Sequence, residues 1–73
     1  MSKVYIVIEQ KKCGEVIGQP IVIGVFKRRK KAVKYIFDMW RDRIIDYVPG
    51  VNGYHTMRNN VHSTAYIKGF IIQ

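Results

Sequence analysis

The chain is expected to fold as an α+β domain, a small antiparallel-rich sheet with one amphipathic helix on one face. Three features predict it. Two runs of β-branched and aromatic residues open the chain around a loop bearing Gly and Pro. A single stretch of helical periodicity occupies the middle, and another β-rich run closes it. The expected order is β-β-α-β, with one further strand over residues 54–58 as an alternative.

Residues 3–10 read Lys-Val-Tyr-Ile-Val-Ile-Glu-Gln, without Gly or Pro, and predict the first strand. Alternation puts Val4, Ile6 and Ile8 on one face and Tyr5, Val7 and Glu9 on the other. Residues 11–20 are polar and hold Gly14, Gly18 and Pro20, the signature of a hairpin loop. A second strand is expected over 21–26, with Ile21, Ile23 and Val25 opposite Val22, Gly24 and Phe26. From Lys27 the period changes. Val33, Ile36, Phe37, Trp40, Ile44 and Tyr47 fall within a stripe of roughly 80° at helical spacing. They predict about five turns of helix, ending before Pro49-Gly50, with Trp40 in the core. Residues 48–63 carry three turn signals, Pro49-Gly50, Asn52-Gly53 and Asn59-Asn60. The last strand spans 64–72, with Ala65, Ile67, Gly69 and Ile71 opposite Tyr66, Lys68, Phe70 and Ile72.

Seventy-three residues allow a single domain, 1–73. A chain this short buries only about 60% of its unfolded surface, so one layer of core is all it can build. Hydrophobic residues make up 48%, too many for a disordered basic tail. The longest apolar runs are far short of the ~20 residues of a membrane span, and the first residues lack a signal-peptide layout. No membrane partner and a cytoplasmic location are therefore expected. The one cysteine, Cys13, cannot form an internal disulfide, which fits a reducing compartment.

Charge is the strongest functional signal. Thirteen Lys and Arg against five Asp and Glu give a formal charge of +8. Residues 27–46 hold eight of the bases and three acids, a net of +5, leaving five bases and two acids, +3, for the remainder. The segment 27–34, Lys-Arg-Arg-Lys-Lys-Ala-Val-Lys, places six cations where the helix is expected to begin. A helix N-terminus already presents unpaired N–H groups and partial positive charge, so each cation there can cost ~0.3–1 kcal/mol at low salt. No good N-cap residue offsets this. A bound polyanion would reverse the sign, since phosphates at a helix N-terminus meet N–H groups, dipole and cationic side chains together. Lys27, Arg28, Arg29, Lys30, Lys31 and Lys34 are accordingly the candidate contacts, with Tyr35 as an outward aromatic and Arg41 and Arg58 as further cations.

Tyr5, with Tyr66 or Phe70, is a candidate platform for stacking single-stranded bases. A sheet with one helix leaves its other face uncovered, and an apolar open face is a natural homodimer interface. Enzymatic motifs are absent. There is no glycine-rich phosphate loop and no G-x-S-x-G. His55, His62 and Cys13 lack metal-ligand spacing and read as exposed loop residues. Asp38, Asp42 and Asp46, at i, i+4 and i+8 among basic residues, read as salt-bridge partners. No catalytic residue, metal or cofactor is expected.

The segments Lys3-Val4-Tyr5-Ile6-Val7 and Gly24-Val25-Phe26, the latter leading into a helix with Ala32 and Tyr35-Ile36, resemble small phage-encoded proteins of β-β-α-β layout. The resemblance implies an accessory protein of a phage or mobile element, a class that often binds and disables host machinery. Where that group has Ser or Thr followed by acidic residues, this chain has Lys27-Arg28-Arg29-Lys30-Lys31. Composition and resemblance together lead to a non-enzymatic protein that binds nucleic acid or a nucleoprotein through a basic helix start. The alternative is an inhibitor of a host protein, of the anti-CRISPR kind, docking on an acidic or RNA-binding surface.

Overall fold

The computed structural model describes residues 2–72. It contains one helix and a six-stranded antiparallel sheet. The elements are β1 (Ser2–Cys13), β2 (Val16–Ile17), β3 (Ile21–Phe26), α1 (Arg29–Met39), β4 (Asp46–Val48), a 3₁₀ turn (Pro49–Val51), β5 (Gly53–Arg58) and β6 (Val61–Ile72). Along the sheet the order is β2-β1-β6-β5-β4, and β3 pairs with β1 beyond β2 on the same edge. The observed succession is thus β-β-β-α-β-β-β, longer than the β-β-α-β order expected.

The spine is the pair β1 and β6, twelve residues each, matched from Ser2 opposite Ile72 to Cys13 opposite Val61. Twelve residues at about 3.4 Å per residue make a ribbon of about 40 Å, which accounts for the 42 Å long axis of the molecule. Both strands outrun the sequence expectation. Polar residues such as Lys11, Lys12 and His62 continue a ladder that hydrophobicity alone would have ended.

Register settles which face the helix covers. Tyr5, Val7 and Glu9 stand opposite Gly69, Ile67 and Ala65, and Val7, Ile67 and Ala65 are buried with Ala32, Ile36 and Trp40 of the helical segment. Tyr5, Ile23, Phe26, Val33, Ile45 and Tyr54 pack around that cluster. The opposite face carries Val4, Ile6 and Ile8, with Lys68, Tyr66 and Phe70 beside them on β6, and it has no helix over it. Tyr5 is therefore separated from Tyr66 and Phe70 by the thickness of the sheet. The aromatic platform expected from those three residues does not form.

On β3 a bulge intervenes. Gly24 opposes Val7 but Val22 opposes Ile8, so the extra residue Ile23 breaks the alternation. Val22 and Val25 consequently share the open face, and the expected Ile21-Ile23-Val25 face is not kept.

The largest departure is the helix. It ends at Met39, three turns long rather than five, with Trp40 as the C-cap residue. Trp40 is 2% exposed, as expected for a core residue. Beyond it, tertiary pairing wins over helical periodicity. The buried Thr56 hydroxyl donates to the Ile44 carbonyl at 2.8 Å, and Asp46–Val48 pairs with β5. The chain therefore inserts Ile45 into the core periphery and leaves Ile44, which a continued helix would have buried, 85% exposed. Tyr47 lies on β4 against Tyr54, ring centroids 5.5 Å apart. The row Asp38, Asp42 and Asp46 is not on one helix, since only Asp38 lies in α1.

No helix among the described residues is long and apolar enough to cross a membrane.

Candidate nucleic-acid interface

The basic segment occupies the crossing from edge strand β3 to α1. Phe26 closes β3 opposite Tyr5. Arg28 then takes an extended conformation (φ −130°, ψ 137°) as the N-cap residue, without a side-chain capping bond. The N–H groups of Lys31 and Ala32 turn back to the Arg28 carbonyl at 3.1 and 3.3 Å. Nothing acidic occupies the first turn and nothing basic the last, where Asp38 sits instead. Charge therefore opposes the helix dipole at both ends.

Five of the sequence-predicted residues converge here. Lys27, Arg28, Lys31, Lys34 and Tyr35 line one open cleft of about 510 Å³ together with Val25, Phe26 and Asp38. Residues 28, 31, 35 and 38 recur at helical spacing, so a single stripe of α1 supplies one wall and the end of β3 the other. Four cations against one carboxylate leave the cleft at +3. Tyr35 packs on Phe26, centroids 5.2 Å apart and planes tilted by 46°. Gly24 makes room for this pair. A Cβ at Gly24 would come within 2.6 Å of the Phe26 ring and 3.6 Å of the Tyr35 ring.

The other four candidates lie elsewhere. Arg29 Nη2 donates to Asn52 Oδ1 at 3.0 Å, and the Tyr47 hydroxyl reaches the same oxygen at 3.4 Å, tying the helix start to the 3₁₀ turn. Lys30 is exposed on α1 outside the cleft. Arg41 follows the helix in a turn, since α1 stops before it. Arg58 stands opposite Val61, which stands opposite Cys13. That is eight rows from Tyr5, about 27 Å along the ribbon at ~3.4 Å per residue. It joins Lys11 and Arg43 in a small separate cleft.

Sequence reasoning missed Phe26 and Asp38 as walls of the site. The signal for Phe26 was its place immediately before the basic run, at the end of an edge strand.

His55 and His62 are on strands β5 and β6 rather than in loops, with His55 Nε2 and His62 Nδ1 3.0 Å apart. Among the described residues no group of three or more His, Cys, Asp or Glu could hold a metal ion.

No protein-family model matches the chain, and no curated protein or solved structure shows significant similarity to it.

Proposed function

We propose that this protein binds the phosphate backbone of nucleic acid, free or within a nucleoprotein, in the cleft between β3 and α1, and that it acts without catalysis. One observation carries the reading. Lys27, Arg28, Lys31 and Lys34 share a single cleft at an uncapped helix N-terminus. Such crowding of like charge opposes folding but suits an anion with several phosphates. Tyr35, exposed, and the half-buried Phe26 add ring surface beside the cations, which favours single-stranded over double-stranded ligands. The role fits an accessory protein of the phage kind.

Fluorescence anisotropy with labelled single- and double-stranded oligonucleotides tests it. The expected result is binding at low salt, tighter for the single strand, weakening linearly in log-log form as salt rises. Failure of both forms to bind more tightly than about 100 μM at low salt overturns the reading. The alternative, inhibition of a host protein, predicts partners from host lysate that survive nuclease treatment.

The uncovered sheet face supports a second role, self-association. Val22, Val25, Phe70 and Ile72 are all about half exposed or more, beside the half-buried Val4, Ile6 and Ile8, and such a surface matches a two-fold homodimer interface. Sedimentation at several concentrations distinguishes monomer from dimer.

A further inference from the structure

His55 and His62 are seven residues apart in sequence, and the hairpin between β5 and β6 brings them together. Pairing of Met57 with His62 and of His55 with Thr64 sets the two histidines diagonally across the strands, on the face that α1 leaves open. The ring centroids are 5.2 Å apart and the planes 26° from parallel. With the facing nitrogens 3.0 Å apart, that is the separation of two imidazoles meeting nitrogen to nitrogen. The rings therefore lie edge to edge, one N–H donating to the other ring's lone pair. Both open into a cleft of about 620 Å³ whose polar walls include Gln10, Lys12, Asn60 and Thr64.

We propose that the His55–His62 pair is a chelating site for a divalent first-row transition ion. On binding, the donor ring shifts its proton to its other nitrogen, so both facing nitrogens offer a lone pair and a neutral pair releases no net proton. To share an ion, each ring turns its lone pair off the line between the nitrogens, a movement that the broad terminal torsion of histidine permits.

The spacing selects the ion. If the nitrogens keep their 3.0 Å separation as the rings turn, two metal–nitrogen bonds of about 2.0–2.1 Å subtend roughly 91–97° at the metal. That is the cis angle of a square-planar or octahedral ion and is narrower than the tetrahedral ~109° that Zn²⁺ prefers, so Ni²⁺ and Cu²⁺ fit better. Two charged groups face the pair from adjacent strands. Lys12 of β1 stands opposite His62 and Asp46 of β4 opposite His55; Lys12 also lines the cleft and Asp46 does not, so a bound cation must tolerate a nearby ammonium. The two imidazoles are the protein's ligands, and water fills the remaining positions. The site is on β5 and β6, away from the basic cleft at the β3 edge, and does not depend on it.

Isothermal titration of the full chain with NiCl₂ tests the proposal, in a Cys13→Ser background that removes the one thiol. One ion per chain is expected, with an apparent Kd below about 100 μM. His55→Gln and His62→Gln should each weaken it at least about tenfold, with circular dichroism confirming that both variants keep the sheet. ZnCl₂ should bind less tightly than NiCl₂. Two-dimensional NMR provides an independent readout, with nickel broadening centred on the resonances of residues 55 and 62. Wild-type affinity in either folded histidine variant, or no saturable binding below about 1 mM, overturns the site.

Discussion

Lys30 and Lys31 are adjacent in the first turn of α1, yet only Lys31 lines the cleft. This separates the cost of the charges from their use. With four cations each neutralising one phosphate, a single strand should bind with a log-log salt slope of about −2.8, at ~0.7 per phosphate. Between about 50 and 200 mM salt that slope is a loss of about 50-fold. Replacing Lys31 and Lys34 by Gln leaves two contacts, a slope of about −1.4, and a loss of only about sevenfold over the same range. Lys30→Gln should keep the slope near −2.8. Stability should respond differently. Both Lys30→Gln and Lys31→Gln remove a cation from the positive end of the helix dipole, worth at most ~1 kcal/mol each at low salt and less when screened. Each should raise Tm by a few degrees in a domain of this size. Anisotropy at two salt concentrations and a thermal melt of each variant complete the assay. If the Lys31/Lys34 variant keeps the wild-type slope, or Lys30→Gln loses as much slope as that variant does, the cleft is not where phosphates bind.

Three further substitutions probe the scaffold. A Cβ at Gly53 would lie 2.6 Å from the Ala65 carbonyl oxygen and 2.7 Å from the Tyr66 Cβ, so Gly53→Ala must push β5 from β6. A loss of about 1–3 kcal/mol in urea unfolding is expected, and more than for Gly24→Ala, whose closest clash is with the movable end of the Phe26 ring. Thr56→Val deletes the donor to the Ile44 carbonyl. It should cost about 1–3 kcal/mol and raise hydrogen exchange in the segment between α1 and β4. Asn59 and Asn60 both take positive φ, 53° and 65°, the pattern of a two-residue type I′ hairpin turn. Asn60→Gly should be nearly neutral, while the β-branched Asn60→Val should lose ~1–2 kcal/mol, again read from the urea midpoint.

The sequence patterns were informative where one period ran uninterrupted. The alternation of residues 3–10 and of 64–72, the buried positions Ile36 and Trp40, and the turn at Asn59-Asn60 were all legible. The basic cleft was legible in part, because a run of cations at a helix start needs only the start to be placed correctly. What failed has a common cause: distant residues decided the local structure. Ile44 continues the helical stripe as well as any residue, but the Thr56 hydroxyl and the β5 ladder capture its neighbourhood. The bulge at Ile23 is invisible to a period-two reading, which therefore put Val22 and Val25 on opposite faces. Tyr5 shares an aromatic pattern with Tyr66 and Phe70, yet only the register against β6 reveals that they are on opposite sides. The histidine pair was hidden for the same reason. A spacing of seven puts two residues two turns apart on a helix and on opposite faces of a strand, and becomes a contact only when a two-residue turn folds β5 onto β6.

An eleven-residue helix is marginal in water on its own, and α1 begins without a cap and with cations at its positive end. Its stability must therefore come from the contacts of Ala32, Ile36 and Trp40 with Val7, Ala65 and Ile67. Those contacts lie on the inward side and leave the cleft stripe free to vary. Had the chain been shaped for folding alone, a Ser or Asp at position 28 and an acid in the first turn would have cost the core nothing. Conflict between local electrostatics and the fold runs through the helix start that forms one wall of the cleft, and functional sites are where such conflict is expected. An Arg28→Ser variant makes the distinction measurable. A capping hydroxyl should stabilise by about 0.5–1 kcal/mol, while removal of one cleft cation should shift the salt slope by about 0.7 toward zero. A gain in stability with unchanged binding would leave Arg28 without a role in phosphate contact.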